Sequence, residues 1–172
     1  MTRPHNAGQR HWVARTEIPT PTGPMSAIAT EAGLAVLRFG AASGQEAALQ
    51  LPEQPDHPHL AAARRWLDAY WSGRAAPDVE VALDLHGTLF QRAVWQALRS
   101  IPHGSTRSYG QLAATVGNGA VPRATGAACG ANPVVLIVPC HRVIGADGSL
   151  TGFAGGIDTK QRLLQHEGVL LV

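Results

Sequence analysis

The clearest candidate for chemistry in this sequence is Cys140, in the pentapeptide PCHRV at 139–143. The pentapeptide follows the apolar run 134–138, which predicts a buried strand that ends just before a thiol in a loop. A free thiol has a pKa near ~8.5 and is mostly protonated at neutral pH, so a nucleophilic cysteine requires a nearby base or cation. His141 and Arg142 are adjacent, and because neighbouring side chains diverge, His141 would act through a water. The alternative is a buried structural cysteine beside a surface histidine.

Two charged residues stand at unfavourable ends of predicted helices. Arg123 lies in the first turn of one helix, where the macrodipole disfavours a cation by about 0.3–1 kcal/mol, so we interpret it as a side chain that enters DNA. Glu167 lies in the last turn of the final helix, where a carboxylate is disfavoured for the same reason and would be stabilised by a histidine. For each residue taken singly, an ordinary solvated charge is the alternative.

Two capping boxes predict helices in the second half of the chain. Thr88 precedes Gln91 by three residues, and Ser108 precedes Gln111 by the same spacing, which is typical of a helix N-terminus. The first helix should bury a stripe of apolar side chains, which are Phe90, Val94 and Leu98. The second helix is short and should end before the glycine-containing turn at 117–119.

A further short helix should begin at Pro122 and run to Gly130. Two short helices joined by a glycine-containing turn are typical of a helix-turn-helix, with the second helix in the reading position. That second helix carries small side chains that suit close approach to a groove, or equally tight packing against other helices: Ala124, Thr125, Ala127 and Ala128. A last helix should be capped by Asp158 with Gln161 and end at Gly168.

The first half predicts a small α+β domain. Residues 1–15 are polar and expected to be irregular, and 26–39 should form two strands around a turn at 31–33. Residues 40–59 should be a loop, 60–71 a helix, and 79–85 a half-buried strand. The predicted fold is therefore α+β, with an N-terminal domain at 1–86 and a mostly helical, winged-helix-like domain at 87–172.

Composition narrows the class of protein. The 172 residues are 45% apolar and 15% charged, which suits one or two compact domains, and no apolar run approaches the length of a bilayer span. With only two cysteines and no apolar leader segment, the chain is expected to be soluble, intracellular and cytoplasmic. Seven basic and 9 acidic residues precede Gly87, against 7 and 3 from Gly87 onward, so the second half carries the positive charge that a polyanion would attract.

Taken together, the motifs resemble the O6-alkylguanine-DNA alkyltransferases, also called methylated-DNA-protein-cysteine methyltransferases. The resemblance covers about 90–168, with the pentapeptide at 139–143 as its most specific part. In sequence order, the supporting residues are Ser108, Tyr109, Arg123, Asn132, Pro133, Gly155, Gly156, His166, Glu167 and Gly168. Each is weak alone, but all of them in this order are highly specific.

The resemblance implies a role for each matched residue. Cys140 would accept the alkyl group irreversibly, once per molecule, with His141 activating it through a water and Glu167 orienting His141. Tyr109 would assist base eversion and protonate the leaving guanine, and Arg123 would fill the vacated place in the stack. Asn132 would tie the reading helix to the active-site turn. The base pocket would be built around four residues, Pro139, Val143, Phe153 and Ala154.

The implied partner is double-stranded DNA that bears O6-alkylguanine, or O4-alkylthymine, and is bound through its minor groove. The resemblance implies no membrane association, no metal and no organic cofactor. A monomer is expected, and cooperative assembly on DNA stays open. Some family members hold zinc in the N-terminal domain, but no cysteine precedes Cys129, and His57 and His59 alone do not make that site. Phe153 and Ala154 stand where members often have a tyrosine and a serine, which puts the range of substrates in question.

Three rival interpretations share part of this pattern. A non-catalytic sensor of alkylated bases would keep the helix-turn-helix, Tyr109 and Arg123, but in such proteins the cysteine is replaced. A hydrolase using Cys140, His141 and Glu167 would need repeated turnover and an oxyanion hole. A plain winged-helix DNA-binding module leaves the position of Cys140 unexplained.

Overall fold

The computed structural model describes residues 11–40, 50–73, 79–117 and 119–169 of a mixed α/β chain. The described residues form a three-stranded antiparallel sheet, a two-stranded parallel pair and five α-helices. None of the helices in these ranges is both long enough and apolar enough to cross a membrane.

The sheet has the order β1-β2-β3, with β1 at Trp12–Ile18, β2 at Met25–Thr30 and β3 at Leu34–Phe39. The predicted hairpin of β2 and β3 is confirmed. The prediction that 1–15 is irregular is wrong for residues 12–15, which belong to β1, while 1–10 lie outside the described residues. Small or polar side chains occupy two of the three buried positions of β1, so its period-two pattern carries little apolar signal; these positions are Ala14, Thr16 and Ile18.

Helix α1 spans Pro58–Trp71 and covers the sheet. The predicted helix is confirmed, but it begins two residues earlier than expected, inside the predicted loop. Pro58 occupies the first turn, where its missing N–H costs no hydrogen bond. The remaining described part of that loop, 50–57, is irregular as predicted, and 41–49 lie outside the described residues.

The outer edge of β3 is shared between two short segments. Leu34 donates to the carbonyl of Ala82 and accepts from the N–H of Asp84, at 2.8 and 2.9 Å. Farther along, Leu37 donates to the carbonyl of Pro133 and accepts from the N–H of Val135, at 2.9 and 3.0 Å. Because each segment pairs at one β3 residue only, the strand predicted at 79–85 is wrong: the chain there is extended and half-buried but forms a single bridge.

The strand predicted at 134–138 is also wrong. After pairing with Leu37, the chain turns back at Leu136, whose φ of 72° is in the left-handed region, and the N–H of Val138 donates to the carbonyl of Val134 at 3.0 Å. This turn lies in the core, so an unbroken apolar run satisfies burial without strand geometry. Consequently Cys140 follows a tight buried turn and not the end of a strand.

Three helices of the second half pack on one another: α2 at Leu89–Arg99, α3 at Tyr109–Val116 and α4 at Pro122–Gly130. Both capping boxes are confirmed, because Thr88 and Ser108 each accept from the backbone N–H three residues on and the glutamine returns the bond. In the α3–α4 turn, residue 118 lies outside the described residues. The apolar stripe of α2 buries Val94 and Leu98 as expected, together with Trp95, and leaves Phe90 half-buried.

The last helix, α5, spans Ile157–His166. The cap predicted at Asp158 is wrong: Gly156, with φ of 86°, occupies the N-cap, and Asp158 lies inside the first turn. The expected end is confirmed, since Glu167 is the C-cap residue and Gly168 adopts φ of 79°. Glycine tolerates this conformation because it lacks a Cβ.

The short parallel pair joins β4, Arg107–Ser108, to β5, Val143–Ile144. It places the residue that precedes Tyr109 beside the segment that follows Cys140. Buried side chains from both halves share one core, among them Leu37, Leu67, Tyr70, Val94, Leu98, Val138 and Leu163. The division into domains at 86/87 stays a prediction.

Candidate active site

Cys140 begins a 3₁₀ turn, Cys140–Arg142, directly after the buried turn at 134–138. Its N–H donates to the carbonyl of Val138 at 2.9 Å, and the side-chain nitrogen of Asn132 lies 3.2 Å from Sγ. Burial raises the pKa of Cys140, although the hydrogen bond from Asn132 opposes this effect. The resting cysteine is therefore a thiol that needs a base before it can attack.

His141 is held in the neutral form by its burial. Its Nε2 lies 2.6 Å from Oε1 of Glu167, and both side chains are fully buried. Burial lowers the pKa of His141 although Glu167 favours the imidazolium. Nε2 donates to the carboxylate, so Nδ1 carries the lone pair, and it has no hydrogen-bond partner among the described residues. The predicted contact of Glu167 with His141 is present.

Glu167 receives more hydrogen bonds than the sequence indicated. Besides His141, donors to its carboxylate are Nε of Arg142 at 2.8 Å, Nη2 of Arg142 at 3.0 Å, the hydroxyl of Tyr70 at 2.9 Å and the N–H of Gly104 at 3.1 Å. Burial alone would raise the pKa of Glu167, but the bonds from His141 and Arg142 hold it well below its ordinary value. The group is a carboxylate that can stabilise positive charge on His141.

Asn132 connects α4 to the nucleophile. It follows the end of α4 directly, and its side chain accepts from the N–H of Val134 at 3.0 Å. The same side chain donates to the carbonyl of Val138 at 2.7 Å and to Sγ of Cys140. The predicted tie between this helix and the active-site turn is thus present as three hydrogen bonds from one amide.

Cys140 opens onto a small pocket. Its lining residues are Tyr109, Cys129, Gly130, Asn132, Val135, Cys140, Gly152, Phe153 and Ala154. The pocket continues outward into a depression of about 430 Å³, which shares Tyr109, Gly130 and the loop 152–154 with it. The hydroxyl of Tyr109 donates to the carbonyl of Thr151 at 3.3 Å, and burial raises the pKa of Tyr109, so the phenol keeps its proton at neutral pH.

The part of Pro139 and Val143 in the base pocket stays a prediction. Both residues are buried, and neither borders the pocket. The N–H of Val143 donates to the carbonyl of Cys140, and its carbonyl accepts from Lys160, so both backbone groups already have partners. The pentapeptide therefore presents one reactive side chain to the pocket and directs its remaining groups into the core.

Lys160 is a structural part of the site that sequence reasoning missed. It is fully buried in α5, and its Nζ donates to the carbonyls of Val143 at 2.5 Å and Thr151 at 3.0 Å. Burial lowers the pKa of Lys160. Its spacing of three and four residues from Leu163 and Leu164, both buried, places it on the core face of the helix, which is the signal that identifies it.

The exposed face of α4 carries part of the predicted DNA-binding set. Arg123, Ala124 and Ala127 are exposed. Thr125 and Ala128, from the same predicted set, are 0% and 3% exposed and face the core. Helical periodicity explains the split, since each of these positions follows 124 or 127 by one residue, a rotation of about 100° that turns the side chain from the exposed side toward the core.

Across the described ranges, no three His, Cys, Asp or Glu side chains come together that could hold a metal ion. The rings of His57 and His59 lie 5.6 Å apart as a pair.

Comparison with known proteins places this site in a family. The family described as 6-O-methylguanine DNA methyltransferase, DNA binding domain, matches residues 89–169. A methylated-DNA–protein-cysteine methyltransferase of Methanosarcina acetivorans is 42% identical over 151 residues, which cover 87% of this chain and 94% of the relative. The chain belongs to the methylated-DNA–protein-cysteine methyltransferase family.

Two further relatives of this methyltransferase family are similar over different lengths. The Salmonella typhimurium enzyme is 54% identical over 103 residues, 60% of each chain. The crystal structure of Mycobacterium tuberculosis OGT in complex with DNA matches with a TM-score of 0.79 and 42% identity, covering 90% of this chain and 92% of that one. The family match at 89–169 includes Tyr109, Asn132, Cys140 and Glu167 but not Tyr70, which comes from the other half of the chain.

Proposed function

We propose that this chain repairs DNA by direct reversal, transferring the alkyl group of O6-alkylguanine irreversibly to Sγ of Cys140, once per molecule. The observation that carries the proposal is the position of Cys140 at a pocket, with the buried pair of His141 and Glu167 behind it. The named activity of the relatives at 42% and 54% identity supports the same reaction.

The proposed proton path is supported by the bond from His141 to Glu167, which leaves Nδ1 of His141 as an acceptor that is free of a partner in the described part of the chain. The thiol proton of Cys140 passes through a water to Nδ1 of His141, and Glu167 stabilises the imidazolium that forms. The thiolate then attacks the alkyl carbon, so that a C–S bond forms and the C–O bond to the base breaks. The electron pair stays on guanine, which takes a proton from the hydroxyl of Tyr109. The imidazolium of His141 releases its proton to solvent and solvent returns one to the phenol, so the thiol proton is in effect passed to guanine. The product thioether ends the reaction.

DNA would be bound by α3 and α4 acting as a helix-turn-helix of winged-helix type, with α4 in the minor groove. Arg123 would insert into the stack and offset the few kcal/mol that base eversion costs. The small exposed side chains of Ala124 and Ala127 permit close approach to the groove. The everted base would occupy the depression beside Tyr109, whose volume lies within the ~300–1,000 Å³ range of small-molecule sites.

The finer parts of the proposal are a cytoplasmic monomer, O4-alkylthymine as a second substrate, and no metal or organic cofactor. Phe153 and Ala154 both border the pocket, so the loop offers an aromatic edge and a methyl group to the base without a side-chain hydroxyl. Two alternatives, the lesion sensor and the cysteine hydrolase, are separated by the experiment below.

The decisive experiment is single-turnover incubation with a duplex that contains O6-methylguanine, followed by mass spectrometry. Cys129 and Cys140 lie on the same tryptic peptide, 124–142, so peptide fragmentation or the variant Cys129→Ser must assign the methyl group. We expect one methyl group, on Cys140, in both the parent and Cys129→Ser, because burial raises the pKa of Cys129 to about 12 and keeps it protonated. Cys140→Ala should bind the duplex without repairing it.

Other results would decide against the proposal. Tight binding of the duplex with no gain of mass indicates a sensor. Release of products over many turnovers indicates a hydrolase, and repair by Cys140→Ala means that Cys140 is not the acceptor.

A further inference from the structure

We propose that Tyr70, from the N-terminal half of the chain, is a positioning residue for the proton transfer at His141, because its hydroxyl holds the carboxylate of Glu167 and limits the basicity of that group. The inference deepens the proposed function and rests on it where the rate of alkyl transfer is concerned. It gives the N-terminal half a part in the chemistry, beyond support of the fold.

Three donors share one oxygen atom. Oε1 of Glu167 accepts from Oη of Tyr70 at 2.9 Å, from Nε2 of His141 at 2.6 Å and from Nη2 of Arg142 at 3.0 Å. Each donor withdraws electron density from the atom that must stabilise the imidazolium. Tyr70 therefore acts on His141 through the oxygen that both residues contact.

The hydroxyl of Tyr70 keeps its proton at neutral pH and is therefore a hydrogen-bond donor. The side chain is fully buried, and burial together with the neighbouring carboxylate raises the pKa of Tyr70 far above its ordinary value. The bond is thus a neutral O–H to a charged acceptor, the class of hydrogen bond with the larger energetic effect.

The ring of Tyr70 is held in place by four aromatic neighbours. Trp66 stacks on it at 5.4 Å with an interplanar angle of 9°, and three further rings surround it at 5.0 to 6.1 Å: Trp71, His103 and His166. Nε2 of His166 also lies 2.9 Å from the carbonyl of Tyr70. These contacts fix the direction of the hydroxyl, so removing only the oxygen leaves the packing in place.

The electrostatic surroundings of the pair are defined by groups from several elements. Facing Glu167 are Tyr70 from α1, His103 from the loop after α2, and His141 and Arg142 from the 3₁₀ turn. His166 acts on His103, and Lys160 from α5 acts on His141. Because Tyr70 is uncharged, its loss changes the basicity of Glu167 without adding or removing a charge.

The variant Tyr70→Phe tests the inference. The matched control is Trp66→Phe, since Trp66 packs on the same ring and is not among the described donors to Glu167. At neutral pH the proton on Nε2 of His141, observed by nuclear magnetic resonance, should move downfield in Tyr70→Phe as its bond to a more basic carboxylate strengthens. In single-turnover transfer, the acidic limb of the pH–rate profile should shift upward by about half a unit to one unit. Trp66→Phe should leave both readouts unchanged.

A second measurement covers a Tyr70→Phe variant that does not fold. The chain has two tyrosines, Tyr70 and Tyr109, so biosynthetic 3-fluorotyrosine in a Tyr109→Phe background substitutes Tyr70 alone. The more acidic fluorophenol is a stronger donor and should move the proton on His141 upfield, opposite to Tyr70→Phe. If the resonance stays in place and the pH–rate profiles superimpose, the inference is overturned. A different outcome is a parent chain that transfers no methyl group while the His141 resonance still moves in the Tyr70 variants. That result overturns the proposed function and upholds the relation of Tyr70 to His141.

Discussion

The side-chain nitrogen of Asn132 lies 3.2 Å from Sγ of Cys140 and donates a hydrogen bond to it. A donor at this distance stabilises a thiolate as it forms, and the same amide closes the buried turn that precedes the cysteine. The nucleophile is therefore attached to the end of α4, the helix proposed to enter DNA. If α4 docks on DNA as proposed, the contacts of Asn132 link that docking to the placement of the sulfur.

Substitution Asn132→Ala should impair both the fold and the reaction. It leaves the buried N–H of Val134 without a partner, at a cost of about 1–3 kcal/mol, and removes one of the two donors to the carbonyl of Val138, which keeps the bond from the N–H of Cys140. It also removes the donor to Sγ, so the rate at which iodoacetamide labels Cys140 at neutral pH should fall. Urea unfolding and labelling rates measure the two effects, and an unchanged labelling rate in folded protein would contradict the electrostatic role.

Substitution Glu167→Gln should destabilise the chain by about 3–5 kcal/mol, because it leaves the buried guanidinium of Arg142 without a countercharge. The matched control is Glu53→Gln, which breaks the exposed pair with Arg15 at 3.8 Å and should cost less than about 1 kcal/mol. The free energy of unfolding in urea gives both values. Equal losses in the two variants would show that Glu167 is not a structural centre of the site.

The stability contributed by Glu167 should disappear in acid. Although burial opposes it, the hydrogen bonds from His141 and Arg142 lower the pKa of Glu167 in the folded chain. A carboxyl group whose pKa is lower in the folded state than in the unfolded state stabilises the fold at pH values above its unfolded pKa of about 4.3. This contribution is lost as the pH falls through the folded pKa. The difference in unfolding free energy between the parent and Glu167→Gln should thus be largest near neutral pH and shrink below about pH 4. A difference that stays constant through that range would refute the linkage.

Lys160 is the single lysine in the sequence, which makes it a probe of the pocket loop. Its amine is buried between the carbonyls of Val143 and Thr151, so an acylating reagent should leave it unmodified in the native chain and modify it in urea. Mass spectrometry of the peptide that contains Lys160 measures the rate. Lys160→Met should release the loop at 151–154 and slow alkyl transfer more than it weakens duplex binding. Rapid acylation of the native chain would be inconsistent with this burial.

Substitution Arg123→Ala should slow repair of duplex DNA by about tenfold or more, since the inserted side chain offsets part of the eversion cost, and 1.4 kcal/mol corresponds to a factor of ten. Transfer from free O6-methylguanine should be unaffected, because no base has to leave a stack. Arg162→Ala, an exposed arginine on α5, is the charge-matched control and should retain the parent rate. An equal loss of repair rate in both variants would show that the effect arises from net charge and not from insertion of Arg123.

Local patterns predicted the helices of the second half well. Thr88 and Ser108 form the expected capping boxes because each involves residues only three apart, and Pro122 begins α4 for an equally local reason. Long-range competition for β3 produced the two wrong strand predictions of the chain after α1. The apolar run at 134–138 and the alternating segment at 79–85 both lie along the edge of β3, and each pairs with a single residue of that strand.

The site likewise has features that the sequence indicates and contacts that only the tertiary structure determines. The residue types in PCHRV, with Glu167 and Asn132 at their positions, are sufficient to indicate a reactive cysteine and its family, because the chemistry depends on side chains that the sequence names directly. The partners of Glu167 depend on distance in space: Tyr70 is 97 positions away along the chain and Gly104 is 63 positions away. No local periodicity encodes such contacts. Packing of α1 against the second half brings the phenol of Tyr70 to the carboxylate. Burial raises the pKa of Cys140 and lowers that of His141, whereas the hydrogen bonds from His141 and Arg142 lower the pKa of Glu167 against the effect of burial.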